Sequence, residues 1–209
     1  MAKEDKLTPS KVQQLLDWTY EKVLEGIPGT RNIYDYVADY KGKNTESAIE
    51  SLVNTQSLKT SLTGFVTGLG GLITLPVSVP ADVASSMYVN MRMVAAIALL
   101  RGYDLKSDQV RTMVFVTMVR ETLKDVLKSV GVKVGEKMAK EAIQKYITRD
   151  VLKKINNAVV KKFITKAGSK GIINLTKWVP IIGGIVSGAF DYAETKGIAK
   201  IAKKTFVEK

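Results

Sequence analysis

Neither histidine nor cysteine occurs among the 209 residues, so the side chains that most often carry chemistry are missing. Without imidazole there is no triad base and no zinc site of the common kinds. Without thiols there is no disulfide framework and no thiolate nucleophile. What remains is a small set of polar groups in apolar surroundings: Asp82, Asn90 and Arg92 in one run, Asp191 and Thr195 in another. A lone carboxylate could act as acid or base. A carboxylate buried beside an arginine is more simply a structural ion pair or a helix cap. Together the five could form a polar site for a ligand or a lipid headgroup. If the two runs pack together, Asp82 or Asp191 can pair with Arg92, because a buried charge stripped of its partner costs about 3–5 kcal/mol. No clustered carboxylates offer oxygen ligands, so neither a metal nor a cofactor is expected.

Both runs are rich in glycine. No charge falls between Lys59 and Asp82, a window of 22 residues. Gly64, Gly68 and Gly71 lie before a Pro76–Pro80 corner, and an apolar helix carrying Arg92 should follow it to about Gly102. Glycine costs a helix roughly 0.8–1 kcal/mol relative to alanine, so close packing must compensate. Gly64-x3-Gly68 has the small-residue spacing that lets helices approach, and Gly184-x3-Gly188 repeats it in the second run. The cluster ending at Gly71 is no phosphate loop: it lacks the Lys-Ser/Thr pair and follows no strand. The expectation is an apolar, proline-cornered hairpin packed on the second glycine-rich helix. Crossing a bilayer needs about 20 apolar residues. The arm over 61–75 supplies 15, and Arg92 interrupts the other arm, so a simple span is not expected. A re-entrant hairpin and a hairpin buried in a bundle both stay open.

The remaining elements read as helices. Thr8 as cap, Pro9 in the first turn and Gly26 as terminator frame the first, with Val12, Leu15, Leu16, Thr19 and Val23 inward. A short helix over 30–40 should bury Ile33, Tyr34, Val37 and Tyr40, and a third starts near Thr45 with Ala48, Ile49, Leu52 and Val53 inward. Ser107 caps a helix expected to run unbroken to about Val130. A basic amphipathic stretch fills 136–167 with a break near Thr148, and a last helix opens at Pro180 and runs towards Lys204. Strand alternation and long repeats are absent from the sequence. The fold class is all-α: a single-domain multi-helix bundle of six to eight helices around the glycine-rich hairpin.

Charge is unevenly placed. The net charge is +12, yet residues 1–100 sum to −1 and residues 101–209 to +13. Between Lys124 and Lys170 there are 13 Lys/Arg against 4 Asp/Glu. Lys133, Lys137, Lys140, Lys145, Arg149, Lys153, Lys154, Lys161, Lys162 and Lys166 are the candidate contacts to an anionic surface, against the simpler reading of a solvated lysine face. Nucleic acid is the weaker alternative, because lysine dominates, aromatics are sparse and no recognition motif stands out. The methionines read as core filler. No apolar run follows the first charged residues, so a cytoplasmic chain, peripheral at the inner membrane face, is the expected location.

Three motifs carry a family resemblance: Gly68-Leu-Gly-Gly71 with Leu75-Pro76-x3-Pro80-Ala-Asp82, then Ala95-Ala-Ile-Ala98-x2-Arg101-Gly-Tyr-Asp104, then Val179-Pro-Ile-Ile-Gly-Gly184-x3-Gly188-x2-Asp191-x3-Thr195. These resemble the EcsC family over residues 45–206, leaving 1–44 as an N-terminal helical extension. The resemblance implies a bacterial helical protein without an assigned activity, from a family named after a gene beside an ABC-type transporter. The expected role is therefore non-enzymatic: a peripheral, membrane-associated protein accessory to transport or secretion, contacting anionic lipid or a membrane transport assembly. The alternative is a soluble bundle holding an apolar or amphiphilic ligand between its glycine-rich helices. Oligomeric state is not legible.

Overall fold

The computed structural model describes residues 8–40, 42, 44–61, 81–132, 147–167 and 187–207. These residues form eight helices and no strand: α1 Pro9–Glu25, α2 Ile33–Ala38, α3 Thr45–Ser61, α4 Ala81–Leu100, α5 Asp108–Met118, α6 Leu123–Ser129, α7 Arg149–Ala167 and α8 Ser187–Thr205. The all-helical class is thus as expected. The first arm of the hairpin, with Gly64, Gly68, Gly71 and the proline corner, lies outside the described residues, as does Gly184.

The hub is α4, which packs against α1, α2, α3, α5 and α8. From Ala84 to Ala98 every residue except Ser86 is buried. A helix apolar on all sides is stable only when covered all round, and five neighbours do that here. Met87, Met91, Met93, Met113 and Met118 are all buried core side chains. The helices α3 and α8 pack together on one flank of the hub, and α7 closes the other by packing on α1, α5 and α6.

Local signals set most of the boundaries. The Thr8 side chain accepts from Lys11 N and caps α1, with Pro9 in its first turn. Gly26 ends that helix at φ +86°, and a Cβ there would lie 3.0 Å from Asn32 N and Thr30 O, so only glycine fits the turn. At the end of α4, Tyr103 N donates to Ala98 O at 3.0 Å and Gly102 N to Leu99 O at 2.9 Å, with Gly102 at φ +73°. That double bond pattern is a Schellman closure, which needs a left-handed residue at the position of Gly102.

Two expectations are corrected. The helix expected from Ser107 to Val130 is two helices, because Arg120 takes φ +57° and Thr122 starts α6 with a capping box to Asp125. In the short second helix Tyr36, not Tyr34, faces the core: Tyr34 is 40% exposed and Tyr36 is buried. That helix is also trimmed at both ends, starting after the Asn32 cap.

Candidate functional site

The polar residues of α4 divide between two faces. Asn90 and Arg92 stand two positions apart, about 200° around the axis, so they cannot look into one site. Asn90 faces α8. Its Oδ1 accepts a long hydrogen bond from Thr195 Oγ1 at 3.5 Å, and its Nδ2 donates to Ser86 O at 3.0 Å. The structure thus brings Asn90 and Thr195 together, both buried. Asp82 lies in the first turn of α4 and Asp191 just past the first turn of α8, but their side chains lie outside the described residues. Gly188 lies in the first turn of α8.

Arg92 faces the loop between α1 and α2. Its Nη2 donates to Arg31 O at 2.8 Å, and its guanidinium carbon sits 4.2 Å from the centre of the Tyr36 ring and 5.9 Å from that of Tyr88. Among the described residues it has no carboxylate partner, and its Nε is buried without a hydrogen bond. Two aromatic faces and a carbonyl dipole therefore hold this charge. The loop beneath it is fixed independently. Thr30 Oγ1 lies 3.0 Å from Tyr88 OH, and Arg31 pairs with Asp39. Burial pushes the Tyr36 phenol well above its ordinary pKa, Tyr40 adds to this, and the nearby Arg92 charge opposes it. Tyr36 is a neutral donor and acceptor, taking a hydrogen bond from Gln56 Nε2 at 2.9 Å. Among the described residues these groups enclose Arg92, which is 7% exposed, and through the Arg31 carbonyl it positions the α1–α2 loop.

At the other end of α4, Arg101 binds two distant segments. Its Nη1 donates to Phe206 O at 3.0 Å, and its Nη2 pairs with Glu46 at the start of α3. The second Glu46 oxygen meets Lys203 Nζ at 2.9 Å. Tyr103 OH donates to Val207 O at 3.1 Å, and its ring meets Phe206 edge-on at 5.2 Å. The Lys203 hydrogen bond, with Arg101 beside it, holds the Glu46 carboxyl below its ordinary pKa despite partial burial. Arg101 and Tyr103 belong to the Arg-Gly-Tyr-Asp motif, and no role for them follows from spacing alone.

The basic stretch divides as well. Lys133, Lys137, Lys140 and Lys145 lie outside the described residues, and Lys166 lies in α7 with its side chain outside them. Thr148 caps α7: its carbonyl accepts from Leu152 N at 2.8 Å. Leu152, Ile155, Val159 and Phe163 are buried, while Arg149, Lys153, Lys154 and Lys161 are exposed. These four fall within one arc of the helix, with Asp150 as the single carboxylate among them. Lys162 turns inward and pairs with Glu121. Beside this arc lies a groove of about 560 Å³, floored by Val130, Ala158, Val160 and Ile164 and bordered by Lys154 and Lys161. Among the described residues no group of acidic side chains could hold a metal ion, and no helix is long and apolar enough to cross a membrane.

The EcsC protein family model matches residues 1–208, so the chain belongs to the EcsC family. The match takes in residues 1–44 as well, consistent with α1 and α2 packing directly on α4. Neither a curated protein nor a solved structure matches the chain.

Proposed function

We propose that this EcsC-family chain is a non-catalytic, peripheral membrane protein. In this reading α7 lies against an anionic lipid surface at the cytoplasmic face, in support of a membrane transport or secretion assembly. One observation carries it: four exposed cations lie on one arc of α7 with a single carboxylate among them, and two of them, Lys154 and Lys161, border an apolar groove. Anionic headgroups favour such an arc by about 1 kcal/mol per lysine or arginine near the surface. The groove gives the inserted edge of a lipid an apolar contact. The lack of a spanning helix among the described residues fits a surface mode of attachment.

Vesicle flotation tests the proposal. The chain should float with vesicles containing phosphatidylglycerol at low salt and be released as salt rises. Lys153→Glu, Lys154→Glu and Lys161→Glu together should abolish flotation without changing the helical circular dichroism. If the wild-type chain stays unbound at low salt, or the triple variant floats equally well, the membrane role is wrong.

A further inference from the structure

A second basic surface lies away from α7. Between α3 and α8 runs a groove of about 720 Å³, within the range of roughly 300–1,000 Å³ typical of small-ligand sites. One wall is a lysine ladder on α8. Lys196, Lys200 and Lys204 stand at four-residue steps, about 6 Å apart along the axis, and Lys203 lies beside them. Arg101 lines the groove with its side chain only 8% exposed. It is held rigidly by Glu46 and the Phe206 carbonyl, and its Nε is buried without a partner. Between the cations the lining is apolar, with Val53 and Ala199 both buried.

The charges do not cancel. Glu46 is committed to Arg101 and Lys203, and Glu50 is the single carboxylate in the lining. Arg101, Lys200, Lys203 and Lys204 set four cations against these two carboxylates, a surplus of two. Lys200 and Lys204 make no ion pair among the described residues, and both are exposed. A solvated lysine face needs neither a concavity nor a buried, pre-positioned guanidinium at its edge; this one has both. Guanidinium and ammonium groups around one space match the acceptor-only oxygens of a phosphate. The volume exceeds that of a bare phosphate, and Asn54 and Glu50 at the rim can hydrogen-bond hydroxyl groups.

We propose that the α3–α8 groove binds a hydroxyl-bearing phosphate ester, with Arg101, Lys200 and Lys204 on the phosphate and Glu50 and Asn54 on the hydroxyls. This chemistry is shared by soluble glycerol phosphates and by glycerophosphate lipid headgroups. The site does not depend on α7 binding a membrane.

Calorimetric titration of the full chain with glycerol 3-phosphate, and flotation on phosphatidylcholine vesicles with and without phosphatidylglycerol, test this together. The variant is Lys200→Glu with Lys204→Glu, two exposed side chains whose change should leave the thermal midpoint in place. Saturable glycerol 3-phosphate binding that weakens about tenfold or more in the variant supports the site with a soluble source. Phosphatidylglycerol-dependent flotation that weakens in this variant supports it with a headgroup source. If neither probe binds in a way that depends on Lys200 and Lys204, the proposal is overturned. Loss of flotation in the α7 triple variant alone, with glycerol 3-phosphate binding kept, separates the two surfaces.

Discussion

Arg92 and Arg101 sit nine residues apart, the first within α4 and the second in the turn that closes it, and both are nearly buried, yet the fold treats them differently. Arg92 has rings and a carbonyl around it and no carboxylate among the described residues. Arg101 has a carboxylate, a carbonyl and an open groove. The first is a dry charge whose neighbours complete a packed junction of α4, α2 and the α1–α2 loop. The second is a charge at the edge of water, fixed in place but still able to meet something else. The difference shows that a buried cation in an apolar helix is not by itself a functional site. What distinguishes the two is whether the space beside the guanidinium is filled.

The largest effect should come from emptying the filled pocket. Arg92→Ala removes the ring contacts, orphans the Arg31 carbonyl and leaves a cavity, and should lower stability in urea unfolding by about 3 kcal/mol. Arg92→Met keeps the volume and removes a desolvated charge, so it should cost no more than about 1 kcal/mol. If methionine is as costly as alanine, the charge itself is what stabilises the junction. Arg101→Ala should cost less, about 2 kcal/mol, because Glu46 is 44% exposed and water can replace its partner. The loss should be local, seen as faster amide exchange at residues 203–207 with exchange in α1 unchanged. A uniform increase across the chain would contradict a local clamp.

The smallest effect is one of pH. The Glu46 carboxyl is depressed in the folded chain, chiefly by the Lys203 hydrogen bond. Its contribution is therefore present above the ordinary carboxyl pKa of 4.5 and fades as pH falls through the lower folded value. The stability gap between wild type and Glu46→Gln should be open at neutral pH and close on acidification. The Arg92 variants should show no such closure, since among the described residues no carboxylate pairs with Arg92. A gap that stays constant to low pH would mean that Glu46 is not depressed by its cations.

Much of the fold was legible because its signals are local. Thr8, Pro9, Gly26, Ser107 and Thr148 each mark a helix end through the residue's own backbone chemistry, and the inward faces of α1 and α3 follow from 3.6-residue periodicity. The break at Arg120 was missed because apolar periodicity runs on through it: Met113, Thr117, Leu123 and Val126 are all buried, as both helices face one core. The Thr122-x-x-Asp125 box was the readable sign. The Tyr34 and Tyr36 reversal arose because a six-residue helix carries too little periodicity to choose between neighbours.

The site was less legible, for a different reason. That Asn90 and Arg92 face apart follows from their spacing. Their partners do not, because Thr195 lies 105 residues from Asn90 and Arg31 lies 61 from Arg92. Nothing in the sequence sets Lys200 and Lys204 apart within a chain so rich in lysine. Only the approach of α3 and α8 turns that ladder into the wall of a groove.

The Arg101–Phe206 bond also has a consequence in time. Its two ends are 105 residues apart in sequence, and chains are synthesised at about 5–20 residues per second, so the carbonyl arrives roughly 5–20 s after the arginine. For that interval α4 exists without α8, with the surfaces of α3 and α4 that α8 later covers still open to other chains. The birth of the protein thus passes through an exposed half-bundle that can close only when its last helix is made.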